Sequence, residues 1–232
     1  MNLDEALALL RGRLDDDVMP YGWSNADLIS YINQRRNEFA RRTLYWRDSA
    51  TALICSITGI IGTGDYPLDE RIIRLERVKG SWRDTPLIRK TVSWMDTHKA
   101  GWEAAADADP LYYLVDKVTG YLTVWPKPAT PGTIALTVSR LPLAQLTLSD
   151  IEKTPTATPL DFPLMWQEHL IDGVLSSAYG KPDSETRNEE RERHYLDKWE
   201  IFIADVLMDL TRDRDVDTDA DPLPDEYDIY AG

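Results

Sequence analysis

Four carboxylates in the middle of the chain are the residues with the clearest potential for catalysis. Glycoside hydrolases place two carboxylates on either side of the scissile bond, one as general acid and the other as nucleophile or base. The candidates for such a pair are Glu103, Asp107, Asp109 and Asp116. The chain has 40 acidic and 26 basic residues and a net charge of −14, so acids in loops are expected without any catalytic role. We therefore expect a protein that is not an enzyme.

A second candidate for chemistry is a run of alternating aspartates near the C-terminus. The run consists of Asp213, Asp215, Asp217, Asp219 and Asp221. A calcium-binding EF-hand loop also needs Gly at its sixth position and Glu at its twelfth, but counting from Asp213 gives Thr218 and Pro224. The histidines lack the HExxH pattern of zinc sites; they are His98, His169 and His194. The sequence therefore predicts no metal site, and no pattern in it indicates a cofactor.

Neither the glycine-rich segment nor the single cysteine has the surroundings of a reactive site. The glycines are Gly59, Gly62 and Gly64. Their spacing differs from the dinucleotide fingerprint, and residues 65–67 read Asp-Tyr-Pro where a helix should begin. We expect a flexible loop between strands there. Cys55 lies in the mostly apolar run 51–57, which favours a buried, inert thiol over a nucleophile.

Four arginines crowd the second half of a predicted helix and are the best candidates for contacts with nucleic acid. They are Arg35, Arg36, Arg41 and Arg42. The isoelectric point of about 4.6 argues against a protein that grips phosphates over a broad surface. Because the chain has so many acids to pair with, we expect these arginines to form salt bridges between subunits.

The aromatic residues are biased toward those that suit interfaces. The chain has 8 Trp and 11 Tyr but only 3 Phe, and Trp and Tyr combine a large apolar body with a polar group. Contacts between copies of the chain would bury these Trp and Tyr side chains. An alternative is a lectin or a glycosidase that stacks sugars on Trp82, Trp94 and Trp102.

The N-terminal residues and the hydropathy pattern indicate in which compartment we expect the protein. Asp4 and Glu5 occupy positions where a signal peptide has basic residues. No apolar stretch approaches the roughly 18–20 residues needed to span a bilayer. One cysteine cannot form an intrachain disulfide. We therefore expect a soluble protein of a reducing compartment that is not secreted through a cleaved signal and does not contact membranes.

Two helices are predicted before residue 46. Residues 2–14 place leucines at helical spacing, and a second helix begins near Ser24, which caps it with Asp27 three positions on. From about residue 51 the apolar period changes to that of strands. Residues 53–57 form a largely apolar run of strand length. Residues 111–115 and 121–125 form a hairpin with Gly120 in the turn. In residues 134–138, large apolar side chains at the even positions alternate with Ala and Thr at the odd positions. The segment 84–107 is ambiguous between a strand and a short helix.

Two more helices are predicted in the C-terminal third. The third runs over residues 163–179, with Asp161 as its cap, and ends at Gly180. The fourth begins after Pro182 with Asp183 or Ser184 as its cap. From residue 212 the acidic composition predicts an extended tail that cannot fold by itself.

These elements predict an α+β fold. A helical bundle forms from the N- and C-terminal helices, with an inserted small antiparallel β module and an extended C-terminal tail. The predicted boundaries are 1–46 for the N-terminal helices, 47–145 for the β module, 146–211 for the C-terminal helices and 212–232 for the tail.

Three segments, in this order, resemble one protein family. Residues 22–33 (GWSNADLISYIN) resemble the "W.D.EL..YIN" opening of the head-to-tail adaptor, or connector, proteins of tailed bacteriophages. Residues 121–128 (YLTVWPKP), followed by a strand ending in SRLP at 139–142, resemble that family's β segment. Residues 161–175 (DFPLMWQEHLIDGVL) are similar to its third helix, although Trp166 stands where Tyr is usual. The long acidic tail also departs from the family pattern.

The resemblance implies a structural virion protein. Such adaptors form a ring, usually of twelve copies, that joins the portal to the tail tube or nozzle proteins in the neck of the virion and lines the DNA exit channel. Assembly in the host cytoplasm is implied as well. The C-terminal segment of the family often inserts along the portal, so the resemblance assigns portal docking to Leu223, Tyr227, Ile229 and Tyr230.

The acidic composition and the resemblance together predict how DNA passes. Acids facing the channel would let DNA slide without sequence-specific binding. A tail-completion or baseplate assembly protein is the alternative within the same class, and a carbohydrate-binding protein or glycosidase is the alternative outside it.

Overall fold

The computed structural model describes residues 1–105, 107–151, 158–182 and 186–218, with side chains as far as Arg212 in the last helix. The chain divides into two compact units. One, here the helical unit, consists of Met1–Thr43 and Ala144–Gly232, and the other, here the β unit, consists of Leu44–Leu143. The predicted α+β class is confirmed by this mixture of helices and sheets.

The elements follow one another in the order expected from the change in apolar period. The helices are α1 (Leu3–Leu14), α2 (Asn25–Thr43), α3 (Ala52–Cys55), α4 (Val92–His98), α5 (Gln167–Tyr179) and α6 (Glu189–Thr218). The strands are β1 (Arg47–Asp48), β2 (Ser56–Gly59), β3 (Asp65–Pro67), β4 (Ile72–Gly80), β5 (Ile88–Arg89), β6 (Tyr112–Leu114), β7 (Tyr121–Trp125) and β8 (Gly132–Arg140). Short 3₁₀ turns occupy Trp102–Ala104, Leu148–Asp150 and Leu164–Trp166.

The first two helices begin where side chains cap their free amides. In α1 the Asn2 side chain accepts from the backbone N–H of Glu5 at 2.8 Å, and the Glu5 carboxylate accepts from the N–H of Asn2 at 2.9 Å. The Ser24 hydroxyl oxygen accepts from the N–H of Asp27 at 3.1 Å at the start of α2. Both predicted helices are therefore confirmed, and their apolar faces are buried.

Two predictions about the C-terminal helices were wrong. Asp161 does not cap the third helix, because the chain turns at Pro163 before the 3₁₀ segment that leads into α5. The Asp161 carboxylate instead lies 3.7 Å from Nη2 of Arg36. The fourth helix begins at Glu189, where the Asn188 side chain accepts from the N–H of Arg191 at 3.0 Å.

The predicted caps of that helix, Asp183 and Ser184, lie outside the described residues and precede its observed start. The extended tail predicted from residue 212 was wrong as far as Thr218, because α6 continues to that residue. The chain contains no Gly or Pro from 183 to 221, so nothing in the backbone ends the helix there. Residues 219–232 lie outside the described part of the chain.

Two sheets form the β unit. In the first, β8 pairs antiparallel with β1, β2 and β4. In the second, the order is β3, β7, β6 and β5, with β5 parallel to β6, so the prediction of a wholly antiparallel module was wrong at this one pair. The hairpin of β6 and β7 and the alternating strand β8 are confirmed. Gly120 in the hairpin has a φ of 78°, which favours glycine.

Residues 53–57 form less strand than predicted. They begin in the single helical turn α3, which buries Ile54 and Cys55 and leaves Leu53 exposed, and only then enter β2. The ambiguous segment 84–107 contains β5, α4 and a 3₁₀ turn.

A buried ion pair holds β1 against the adjoining end of β8. The Asp48 carboxylate accepts from Nε of Arg140 at 2.6 Å and from the hydroxyl of Thr51 at 2.7 Å. Burial raises the pKa of Asp48, but hydrogen bonds from Thr51 and Arg140 outweigh this and hold that pKa far below its usual value.

A tryptophan closes one end of the first sheet. The ring of Trp82 lies on Gly59, Gly80 and Gly132, and a Cβ at any of these positions would come within 2.5 Å of a ring carbon. The indole N–H donates to the carbonyl of Thr130 at 2.9 Å. The three glycines therefore permit a close approach that no larger residue allows.

Candidate functional site

Two of the four carboxylates considered for catalysis have partners within the β unit. The Asp116 carboxylate accepts from the N–H of Val92 at 3.0 Å, at the start of α4. Glu103 lies 3.9 Å from Nζ of Lys117. Asp107 and Asp109 are exposed loop residues. Within the described residues, no group of three or more His, Cys, Asp or Glu side chains is placed to hold a metal ion.

Two exposed histidines stack on aromatic rings, and the cysteine is buried. His98 stacks on Trp94 with ring centroids 4.6 Å apart, and His169 stacks on Phe202 at 4.5 Å. Cys55 is buried, and this burial raises the pKa of its thiol. The predicted burial of Cys55 is confirmed. The alternating aspartates have no described side chains.

The glycine-rich segment connects two strands, as predicted. It joins β2 to β3 and is held by the Tyr66 hydroxyl, which donates to the carbonyl of Thr63 at 2.8 Å and accepts from the N–H of Ile60 at 3.1 Å. Ile60 and Ile61 are more than half exposed at its tip.

The arginines of α2 contradict the expectation that they pair between subunits. Arg35 donates to the carbonyl of Gly173 at 2.9 Å and to Ser176 at 2.7 Å, and both acceptors lie in α5. Arg42 binds Glu200 of α6 through two bonds of 2.7 and 2.6 Å. These arginines therefore join helices of one chain.

Arg36 is almost completely buried, with 1% exposure. It donates to the Asn33 side chain at 3.1 Å and to the carbonyl of Ala144 at 3.4 Å, and its burial lowers the pKa of the guanidinium. Arg41 and Arg42 are the exposed members of the group. Three of the four predicted interface residues are thus part of the fold of the helical unit.

The tryptophans suggested for sugar stacking do not form an open platform. Trp102 is buried and donates from its indole to Asp96 at 2.9 Å. The Trp94 ring is covered on one side by His98 and approached by Nζ of Lys90 at 4.2 Å from its centroid. Trp82 is pressed against the three glycines of the first sheet. This arrangement removes the observation on which the carbohydrate alternative depended.

One exposed apolar surface of the helical unit lies beside α5 and α6. A groove of about 420 Å³ runs between these helices and is lined by Trp166, His169, Asp172, Lys198, Ile201, Phe202, Asp205, Val206 and Asp209. Ile201 in this lining is 62% exposed. Leu164, Met165 and Met208, which precede the lining residues Trp166 and Asp209 in the chain, are 54–80% exposed. We call this the α5–α6 groove. Exposed apolar patches mark interaction sites on soluble proteins.

A second apolar surface is presented by the loop between α1 and α2. Its base is fixed because the buried Asp16 carboxylate accepts from Arg11 at 2.8 Å and from the N–H of Gly22 at 2.7 Å. At its tip, Val18 is 81% and Met19 75% exposed. An apolar tip on an ordered base suits docking, because little conformational entropy is lost on binding.

A third surface is a groove of about 350 Å³ on the β unit. Leu68, Ile72, Ile73, Leu75, Val115 and Gly120 form its apolar part, and Asp69, Glu70, Arg74 and Arg89 are its charged lining. We call this the β-unit groove. The apolar side chains are half-buried and pack on the core of the unit from one side only.

The two units differ strongly in charge. The helical unit has 14 basic and 29 acidic residues, a net charge of −15, whereas the β unit has 12 basic and 11 acidic residues, a net charge of +1. The acidity noted in the sequence is therefore not spread over the whole chain. Like charge disfavours contacts between two helical units.

These features describe an α+β chain that exposes apolar side chains on its helical unit and on its β unit. The family model described as SU10 adaptor protein matches residues 1–222, and the chain belongs to this family. The resemblance to tailed-phage adaptors is thereby confirmed. No curated protein matches the chain. None of the helices in the described residues is long and apolar enough to cross a membrane.

The residues assigned to portal docking lie outside the described residues. They are Leu223, Tyr227, Ile229 and Tyr230. Sequence reasoning did not find the apolar tip at Val18 and Met19 or the exposure of Leu164 and Met165. The signal for the first pair was present, because two large apolar residues directly follow three aspartates in a loop.

Proposed function

We propose that this protein is the head-to-tail adaptor of a tailed phage and forms a ring, of twelve copies, that joins the portal to the tail or nozzle. The observation that supports this most directly is the α5–α6 groove, an exposed apolar surface on a chain of the adaptor family. A monomer that stayed alone would leave this surface in contact with water. Copies that close into a ring would cover it.

The ring gives the protein its mechanism, which is geometric. The helices are joined by ion pairs such as Arg42 with Glu200, so each subunit is a preformed block. Rigid blocks lose little conformational entropy when they associate. The subunits then provide one face to the portal and the other to the tail tube or nozzle proteins, in the neck of the virion, after assembly in the host cytoplasm.

In this proposal the C-terminal segment locks the ring to the portal. Leu223, Tyr227, Ile229 and Tyr230 are the anchors, since aromatic and large apolar residues dominate the binding energy of interfaces. The helical unit, with its net charge of −15, supplies the acids that face the channel. Those acids repel the DNA phosphates, so the DNA passes without being held.

Native mass spectrometry and negative-stain images of the protein, alone and with portal, test the ring. We expect rings, either in solution or on the portal. Ile201→Arg combined with Met208→Arg places two charges on the α5–α6 groove and should prevent ring formation while the fold is kept. Leu53→Arg is the matched control, because Leu53 is 77% exposed in the β unit. Rings formed equally by the groove variant would refute its role.

Deletion of residues 219–232 tests the lock separately from the ring. We expect this deletion to abolish portal docking and to leave the circular dichroism spectrum of the protein unchanged. Unchanged docking would reject the role of the four anchors. Labelling of the virion distinguishes the nearest alternative, because a baseplate assembly protein would be found at the far end of the tail.

A further inference from the structure

The α5–α6 groove carries acids that are not fully matched within their own chain. Its charged lining consists of Asp172, Lys198, Asp205 and Asp209. Asp172 accepts from Arg13 at 3.1 Å, so its charge is matched inside the helical unit. Asp205 is exposed and pairs with no described cation, and Asp209 has only a loose pair, 3.6 Å long, with the exposed Arg212. A surface that covers this groove is therefore expected to bring positive charge.

Two copies of the chain do not cover the groove well by placing one groove on the other. Such a symmetric contact would bring the exposed aspartates of one copy against those of the other, and like charges opposite each other disfavour an interface. A symmetric contact also ends at two copies, whereas a ring needs a groove and a different, complementary surface on every copy. The cover of the groove is therefore expected to be another surface of the chain.

The edge strand β5 presents an apolar side chain next to an unmatched cation. Ile88 is 52% exposed, and Arg89 is exposed and pairs with no described acid. The N–H of Ile88 donates to the carbonyl of Leu111 at 3.0 Å, and β5 is the last strand in the order of its sheet. Residues 85–90 contain two cations and no acid. This edge therefore combines the two properties that the groove requires.

The other exposed apolar side chains of the described residues lack this combination. Val118 is also exposed and adjoins a cation in the chain, but that cation, Lys117, already lies 3.2 Å from Asp65. Among the exposed large apolar residues that the structure describes, Ile88 alone adjoins a cation without an ion pair. Charge therefore selects the β5 edge as the cover of the groove.

We propose that the β5 edge of one copy docks in the α5–α6 groove of the next copy. Ile88 enters the apolar part of the groove beside Ile201. Arg89 lies between Asp205 and Asp209, which are about 6 Å apart along α6. Each copy offers an edge and accepts one, so the contact is heterologous and can repeat around a ring. This contact rests on the proposed function, because it names the surface that closes the ring.

Two blocked variants test whether the contact joins two different surfaces. Ile201→Arg with Met208→Arg blocks the groove, and Ile88→Asp with Arg89→Asp blocks the edge. Each variant keeps the surface that the other lacks. We therefore expect neither variant to form rings alone and an equimolar mixture to form heterodimers, which native mass spectrometry identifies when one chain is isotope-labelled. Rings formed by the edge variant, or homodimers of it in place of heterodimers, would overturn the proposal.

The matched control for the edge variant changes the β unit by the same charge at another place. Leu53→Asp with Arg77→Asp replaces one exposed apolar side chain and one exposed arginine. Circular dichroism checks the fold of all variants. We expect the control to assemble as the parent protein does, and a loss of assembly in the control equal to that in the edge variant would overturn the role of β5.

Cross-linking tests the contact without any need for a closed ring. One chain carries Ile201→Cys and the other carries Ile88→Cys, and a short bismaleimide joins them, while Cys55 is buried and stays unlabelled. We expect a yield of covalent heterodimer about tenfold above that of Ile201→Cys mixed with Leu53→Cys, which corresponds to ~1.4 kcal/mol. Equal yields in the two mixtures, or equal yield of homodimer from the Ile201→Cys chain alone, would overturn the proposal.

The outcomes separate this contact from the proposed function. Selective heterodimers from a protein that forms no closed ring, alone or on portal, would refute the ring and support the edge contact. Rings that incorporate the edge variant as readily as the parent chain would refute the edge contact and support the ring. Cross-linking of the Ile201→Cys chain to portal in place of the Ile88→Cys chain would show that the groove receives another protein, and would also overturn the contact.

Discussion

The same substitution, glycine to alanine, should have opposite effects at two helical positions of this protein. Gly12 lies in α1 with nothing within 4 Å of where its Cβ would be, whereas a Cβ on Gly173 in α5 would lie 2.7 Å from Cε3 and 2.9 Å from Cδ2 of Trp199. Trp199 is completely buried. Its ring has no access to solvent, so a shift of the ring would press on other groups of the core.

The magnitudes follow from two opposing contributions. Alanine in place of glycine stabilises a helix interior by about 0.5–1 kcal/mol, and this is the only effect expected at Gly12. At Gly173 the extra methyl group overpacks the contact between α5 and α6, which costs typically 1–3 kcal/mol. We therefore expect Gly12→Ala to raise the free energy of unfolding by about 0.5–1 kcal/mol and Gly173→Ala to lower it by ~1–2 kcal/mol.

Urea denaturation followed by circular dichroism at the helical signal measures both changes. Gly12→Ala serves as the control, because it reports the helix propensity of alanine in the same protein. If Gly173→Ala were as stable as the parent protein, the close packing of Trp199 on α5 would not limit the residue at 173, and the reasoning would be refuted.

Three further predictions concern single contacts. Asp48→Asn should destabilise the β unit at pH 7. In the parent protein the stabilisation by Asp48 should fade as the pH drops below about 4–5, because a carboxyl whose pKa is lowered by folding stabilises the fold above its unfolded pKa and loses this effect when it is protonated. Urea midpoints that change with pH in parallel for both proteins would contradict this prediction. Arg42→Ala should cost only about 0.5–1 kcal/mol, because its pair with Glu200 is partly exposed, and the loss should shrink in 1 M salt. Gly120→Ala should cost about 1–2 kcal/mol, because its φ of 78° disfavours a Cβ, and thermal unfolding measures it.

Much of the fold could be predicted because local signals and burial agree. The cap at Ser24, the hairpin turn at Gly120 and the alternation in β8 each identify one element. The class of protein could also be predicted, since three segments in the family order occur in one chain. Periodicity does not specify which strands pair, so the parallel contact of β5 with β6 could not be predicted.

The errors arose where a residue type favours two outcomes. Aspartate suits a helix cap, but Asp161 precedes a proline that delays the helix, and its carboxylate approaches Arg36 instead. The acidic composition after residue 212 predicts an extended tail. The helix α6 nevertheless continues to Thr218, because no Gly or Pro interrupts it there. Composition describes what a segment can bury, whereas helix continuation depends on the backbone.

The site was less predictable than the fold. The arginines of α2 have the charge expected of an interface, yet Arg35 and Arg42 reach α5 and α6 of their own chain. Which apolar residues stay exposed depends on tertiary packing, and Leu164 and Met165 look in the sequence like part of a buried helix face. Exposure of this kind becomes visible only when the helices are placed together.

The length of α6 sets where the C-terminal segment starts. Thirty helical residues at 1.5 Å each span about 45 Å, so the helix fixes the distance between Asn188 and the residue that follows Thr218. Adding four residues near its end would move the departure point by about 6 Å and turn it by roughly 40°. Under the proposed function, a change of one helical turn would therefore displace the portal anchors without altering any of their side chains.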